Sequence, residues 1–384
     1  MVYRRFRLET HLADGVRRDD AEGDAARADG ARGLTYPFAR VPEAGEGIEV
    51  APGVVWFRLP LPMALNHINL YALEDGDGWT LVDTGLFTPA SVEIWDGLLT
   101  GALRGRPIKR VICTHMHPDH IGMAGWLCER FQVPLLMSRL EYVTARMLVA
   151  DTGRPAPESG RTFYRAAGWT EEQLAGWGRD YGSFGRVVSP MPDAYHRLTE
   201  GDVLSIGGDD WEVVVGQGHS PEHVCLWRRS DGVFLGGDQI LPKISSNVSV
   251  WPTEPLSDPL GDWMASLDRL AELLPEDLLV LPSHGEPFRG VQTRLAALKR
   301  GHGQALARLE RRLETPMRAV DTFASLFARP VGDGLRGMAT GEAVAHLNYL
   351  ERQGRTTRQR DADGVDWWQA TGTPVSETND DNGE

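Results

Sequence analysis

Cysteine is nearly absent from this chain: its 384 residues hold three, Cys113, Cys128 and Cys225, and no two of them stand in a CxxC spacing. That excludes a disulfide framework and a thiolate zinc ribbon. Lysine is as scarce, with Lys109, Lys243 and Lys299 set against 37 arginines. No apolar run approaches the ~20 residues that span a bilayer, so no membrane partner is expected. The first forty residues also lack the apolar core of a signal peptide, which makes a reducing cytoplasm the expected compartment. Positive charge is in deficit, 54 acids against 40 bases for a net charge of −14. A uniformly basic surface that coats nucleic acid is thereby disfavoured.

What is present describes a globular chain of two or three domains, 41% hydrophobic and 24% charged. Residues 1–40 mix charges of both signs without a strand or helix period, and read as a mobile arm. Short β-rich runs follow at 54–59, 68–73 and 79–82, then a helix over 89–103 and a buried strand over 108–113. Residues 119–130 read as a helix and 133–137 as a strand. Between 138 and 199 lies a helical insertion, whose Tyr164, Trp169, Trp177 and Tyr181 are expected to wall a pocket. A second β-rich block occupies 203–206, 211–215, 224–228, 233–236 and 278–281. Two β-rich halves interleaved with helices predict a sandwich of two sheets covered by helices. A long basic helix over 288–314 leads to three helices and a hairpin, the outline of a winged helix over 314–375. The acidic tail 376–384 reads as disordered.

The decisive segment is Thr114-His115-Met116-His117-Pro118-Asp119-His120, directly after an apolar strand. Side chains alternate along a strand, so His115 and His117 point the same way and can share one ion. Asp119 and His120 follow at a helix start, within reach of a second ion. Asp119 by itself would pass for a helix N-cap, and one buried histidine for hydrogen-bonded core.

This order of ligand types resembles the HxHxDH motif of the metallo-β-lactamase superfamily. The resemblance implies a four-layer αββα catalytic domain over 41–313 and three further ligands at strand ends: His219 in Gly218-His219-Ser220-Pro221-Glu222-His223, Asp238 in Gly236-Gly237-Asp238, and His284 in Ser283-His284-Gly285. It implies one metal on His115, His117 and His219, another on Asp119, His120 and His284, and Asp238 as the bridge. Asp119 and Asp238 are then the catalytic carboxylates. Nitrogen and oxygen donors without cysteine suit two Zn²⁺ ions, with Fe and Mn as the alternatives. Di-iron relatives usually carry Glu where His117 stands, so His117 favours hydrolysis by a zinc-bound hydroxide. Asp83, in Leu81-Val82-Asp83-Thr84-Gly85, matches the superfamily's strand-end Asp and is expected to orient a ligand histidine. His223 is expected to orient its own loop or approach substrate. Lys243 and His67 are the candidate substrate contacts, with surface exposure competing at Lys243 and core packing at His67 and Asn69. His302, on the basic helix, is expected at the surface.

The chain over 53–373 resembles bacterial members of the superfamily with a C-terminal winged helix, the arrangement of β-lactamase-like protein 2, and more distantly glyoxalase II. Between residues 41 and 285 there are 33 acids and 18 bases, which would repel a long phosphate chain. The expected substrate is therefore a small ester or thioester of acyl-CoA or acylglutathione type. RNA or DNA cleavage guided by the winged helix is the alternative, disfavoured because 315–373 carries seven bases and seven acids. A lactone is a further alternative, and the winged helix is also a candidate homodimer contact.

Overall fold

The computed structural model describes residues 27–29, 33–63 and 65–372, so the expectations for 1–26 and 373–384 lie outside the described residues. A short hairpin comes first, β1 (Arg27–Asp29) against β2 (Leu34–Tyr36). Leu34 and Tyr36 are buried, and Thr35 bridges to Arg289. The end of the expected mobile arm is thus anchored to the body, through two apolar residues too few to register as a period.

The first sheet has seven strands in chain order, β3 (Ile48–Ala51), β4 (Val54–Pro60), β5 (His67–Asp75), β6 (Gly78–Val82), β7 (Ile108–Ile112), β8 (Leu135–Met137) and β9 (His196–Arg197). The second has five, β10 (Val203–Ile206), β11 (Asp209–Gly216), β12 (His223–Arg228), β13 (Val233–Gly237) and β14 (Leu279–Pro282). Alternation assigns each strand's two faces. Val54, Trp56, Tyr71, Leu73, Val82 and Ile112 face Trp211, Val213, Val224, Leu226, Leu235 and Leu281 in the core between the sheets. The intervening residues Phe57, Leu70, Leu81 and Val111 turn outward beneath α1 (Pro89–Thr100), α2 (Pro118–Ile121), α3 (Ala124–Phe131) and α4 (Arg139–Ala150). Val214, Cys225, Phe234 and Val280 turn outward on the other side. The result is the expected sandwich of two sheets flanked by helices.

The insertion contributes α5 (Glu158–Ala166) and α6 (Glu171–Asp180). Three of the aromatic residues expected to wall a pocket, Tyr164, Trp169 and Trp177, are packed into the core instead. The Tyr164 ring lies tilted against Trp169 and Trp177, with centroids 4.5 and 5.1 Å away, and the Trp169 indole donates to Thr340 Oγ1 at 2.9 Å. They tie the insertion to the C-terminal block. Burying such rings removes ~150–250 Å² each from water, worth several kcal/mol apiece at ~25 cal/mol per Å².

Two long helices cover the second sheet, α7 (Pro259–Leu273) and α8 (Val291–Arg312). The sequence reading passed over α7, although Asp258 caps it by accepting from Gly261 N at 3.0 Å and Leu260, Trp263, Leu267 and Leu270 repeat at helical spacing. Beyond α8 come a 3₁₀ turn, α9 (Phe323–Leu326), α10 (Arg336–Arg352) and a hairpin of β15 (Thr356–Arg360) and β16 (Asp366–Ala370). Helix α10 is buried nearly all round, from Ala339 to Leu350.

His302 is not at the surface. It falls on the buried stripe Leu295, Leu298, His302, Ala305, Leu309 of α8, a periodicity masked in the sequence by its neighbours Gly301 and Gly303. Its Nε2 lies 3.0 Å from Ser245 Oγ and its Nδ1 3.5 Å from His346 Nε2. Burial, then the neighbouring His346, pushes the His302 pKa down to about 3. An unfolded histidine titrates near ~6.5, so the unfolded chain binds the extra proton first and this residue's contribution to stability is lost as pH falls from ~6.5 toward about 3. Thermal melting of His302→Gln, which has no proton to gain, is expected to decline less steeply than wild type between pH 7 and 4.5. Parallel declines would contradict this.

Candidate metal centre

Every residue of the cluster sits where a strand runs out. β7 ends at Ile112, and the chain turns through Thr114 into His115 and His117, then starts α2 with Asp119 and His120. His219 follows β11, Asp238 follows β13 and His284 follows β14. Two glycines permit these turns. Gly218 has φ +101° and a Cβ there would lie 2.4 Å from the Trp263 side chain; at Gly237, φ +53°, it would lie 2.4 Å from the His223 ring.

The seven residues form two groups, His115, His117, His219 and Asp238 in one and Asp119, His120 and His284 in the other. Asp238 faces both: its Oδ2 lies 3.4 Å from His219 Nε2, while its Oδ1 lies 3.7 Å from His120 Nε2 and 3.5 Å from His284 Nε2. His284 Nε2 is also 3.5 Å from Asp119 Oδ2.

Hydrogen bonds outside the cluster decide which nitrogen of each ring faces in. His219 Nδ1 donates to the Asn247 carbonyl at 2.7 Å and His284 Nδ1 to the His67 carbonyl at 2.8 Å. His120 Nδ1 lies 2.8 Å from Asp83 Oδ2. Thr114 gives its hydroxyl proton to the Asp83 carboxylate, which leaves that oxygen free to accept from His115 Nδ1 at 3.0 Å. The Nε2 lone pairs of His115, His120, His219 and His284 therefore converge on the cleft, joined by His117 Nδ1, 2.8 Å from His115 Nε2. Lone pairs this close repel unless a cation or proton lies among them. His120 Nε2 and Asp238 Oδ1 are buried without a hydrogen-bond partner, as atoms reserved for an ion would be.

Electrostatics agree. Burial and then the surrounding imidazoles hold His115 well below its ordinary pKa, and burial followed by His219 pushes His117 down to about 3. Burial also opposes charge on His120, but the carboxylates of Asp83, Asp119 and Asp238 outweigh it and raise that imidazole to about 10. Asp238 stays well below the carboxylate range: burial pulls upward, and His284 and His120 more than offset it. The residues fit a divalent metal, hard carboxylate oxygens and imidazole nitrogens without sulfur.

The expected supporting residues are placed as follows. Asp83, at φ +61°, accepts from Thr114 N at 2.8 Å and holds His120. His223 stacks on His115 with centroids 4.8 Å apart and accepts from Asp238 N at 3.0 Å. His67 accepts from Gly285 N at 3.0 Å, beside His284, and Asn69 is buried, donating to the Pro282 carbonyl at 2.8 Å. Lys243 stays outside the cluster, its ammonium 5.5 Å above the Tyr36 ring. Sequence reasoning missed Glu141 and Asn247. The buried Glu141 carboxylate accepts from Met116 N at 2.9 Å and Glu222 N at 2.8 Å, clamping the two histidine-bearing loops together. Its one sequence signal is an acid among the residues α4 buries, Glu141, Tyr142 and Ala145.

The metallo-beta-lactamase superfamily model matches residues 64–284, more than half of the chain, and a metallo-beta-lactamase-like C-terminal domain model matches 306–371. The chain belongs to the metallo-β-lactamase superfamily. Among its superfamily relatives, the probable metallo-hydrolase YqjP of Bacillus subtilis is 28% identical over 78% of this chain and 92% of its own length. The human acyl-coenzyme A thioesterase MBLAC2 is 24% identical over 62% of this chain and 79% of its own. The crystal structure of a beta-lactamase domain protein from Burkholderia ambifaria, 40% identical, superposes with a TM-score of 0.81 over 88% of this chain and 98% of that one. This superfamily member is accordingly a hydrolase of the metallo-hydrolase type.

Glu141→Ala would orphan two buried N–H groups, each costing ~1–3 kcal/mol. A fall of ~2–6 kcal/mol in unfolding free energy is expected by denaturant titration, whereas Glu141→Gln, whose one amide oxygen can still accept from one of the two N–H groups, is expected to lose less. Equal losses would rule out the clamp.

Proposed function

We propose that this chain is a dinuclear zinc hydrolase of small thioesters or esters, of acyl-CoA or acylglutathione type. The observation that carries the reading is Asp238 with one oxygen turned toward each ligand group. His115, His117 and His219 would hold one ion and Asp119, His120 and His284 the other. Bound divalent metal supplies Lewis acidity toward a carbonyl oxygen and acidifies water. The protein does the rest. Asp83, Thr114 and the carbonyls of His67 and Asn247 hold the imidazoles with their lone pairs inward. His223 fixes the backbone of Asp238, and the Ser246 hydroxyl holds its carbonyl. Asp119, kept below its ordinary pKa against burial by His120 and His284, stays a carboxylate able to take a proton.

Thioester chemistry is favoured over phosphodiester cleavage by what the C-terminal block does with its charge. If the block is a winged helix, α10 is the element that would enter a groove. It is buried from Ala339 to Leu350. Six of the block's seven arginines pair with acids: Arg318 with Asp321, Arg336 with Asp333, Arg352 with Asp258, Arg355 with Glu310, Arg358 with Glu351 and Arg360 with Asp366. Little is left for phosphates. MBLAC2 acts on acyl-coenzyme A thioesters, the same chemical class.

Zinc-loaded protein is expected to cleave short acyl-CoAs or S-lactoylglutathione but not labelled single-stranded RNA, with a lactone as the third arm. Asp238→Ala should lower the rate by more than ~100-fold, since even partners of ligands act on that scale. Cleavage of RNA alone, lost in Asp238→Ala, would overturn the thioester assignment.

A further inference from the structure

The ring of His219 is oriented by the carbonyl of Asn247, and Asn247 is itself held from another part of the chain. Its side-chain amide donates from Nδ2 to Glu342 Oε2 at 2.7 Å and accepts from Ser249 Oγ at 2.6 Å. Glu342 lies on α10, ninety-five residues along the chain. Around it α10 meets the same loop at backbone level: Val250 N donates to the Gly341 carbonyl at 3.1 Å, and a Cβ on Gly341 would lie 2.8 Å from Ser249 Cβ. The approach requires a residue without a side chain at 341. The Glu342 carboxylate is half-buried, and the loss of water lifts its pKa to about 7 although the Asn247 amide pulls the other way. A carboxylate kept in so unfavourable a place, with its hydrogen bond spent on the residue that aims His219, has no part in the chemistry described above.

We propose that Glu342 is a positioning residue for His219, and that through it the C-terminal block completes the metal centre. The inference rests on the reading of His219 as a metal ligand. It assigns the block a role inside the enzyme. Without the Glu342 contact the Asn247 carbonyl can turn away, the His219 ring loses the partner of its Nδ1, and its lone pair no longer points steadily into the cleft. Outer partners of metal-bound histidines typically carry ~10–100-fold in metal affinity.

The test is zinc affinity of the full-length protein by chelator competition, with the melting temperature of the metal-free form measured alongside. Glu342→Ala is expected to weaken zinc binding ~10–100-fold, and Glu342→Gln, which can still accept from Asn247, to recover most of it. Asn348→Ala is the control: it removes α10 bonds to the Pro255 and Ser257 carbonyls, a different part of the same loop, and is expected to bind zinc like wild type. Wild-type affinity in Glu342→Ala, while His219→Ala binds weakly, would overturn the proposal and leave the metal centre standing. An equal loss in Asn348→Ala would also overturn it, by showing that docking of the helix in general is what matters. If His219→Ala itself binds zinc like wild type, the ligand assignment fails and this proposal with it.

Discussion

Everything in this molecule is arranged around imidazole lone pairs brought together in one buried cleft. His117 Nδ1 and His219 Nε2 lie 2.8 and 3.2 Å from His115 Nε2, and the Asp238 carboxylate closes the group. Such an arrangement is unfavourable in isolation: burial strips the groups of water, and their lone pairs repel. It persists because the rings of His115, His120, His219 and His284 are tied at their far nitrogens, to Thr114, Asp83, and the carbonyls of Asn247 and His67. The strain of the cluster is thus distributed over bonds to rigid elements, and a cation is the species that relieves what remains.

The sandwich is what makes those ties available. Strand ends of both sheets meet at one edge, so short loops from β7, β11, β13 and β14 deliver their residues without crossing the core. Glu141 reaches from α4 to join the loop of His115 and His117 to that of His219. Arg58 and Asn69 reach across to the loop after β14, where both donate to the Gly285 carbonyl. On the other side, Arg294 of α8 holds the Leu241 and Ile244 carbonyls of the loop that α10 of the C-terminal block also meets.

Much of the basic character of α8 is spent inside the fold. Arg294, Lys299 and Arg308 of α8 spend their charge on the Leu241 and Ile244 carbonyls, Asp268 and the Ser325 carbonyl, as Arg289 just before the helix does on the Asp277 carbonyl. A count of bases along a helix describes a surface only when the bases are free. Here several of them serve as bonds between the two halves of the protein, and the same holds for the ion-paired arginines of the hairpin, Arg358 and Arg360.

The two-sheet sandwich and the run from His115 to His120 were legible in the sequence, because alternation and close ligand spacing are local properties, while His219, Asp238 and His284 were reached only through the family resemblance that this run carries. Asp83 came from the same resemblance, as the superfamily's strand-end Asp, and His223 only as a neighbour of His219. What the tertiary structure alone decided is how far-apart residues answer one another: Glu141 across 81 residues to Glu222, Asn247 across 95 to Glu342, Arg58 across 227 to Gly285. It also turned the aromatic insertion inward and buried His302. None of these leaves a periodic trace. A buried polar group is chosen by the partner that satisfies it, and the identity of that partner exists only once the chain has folded.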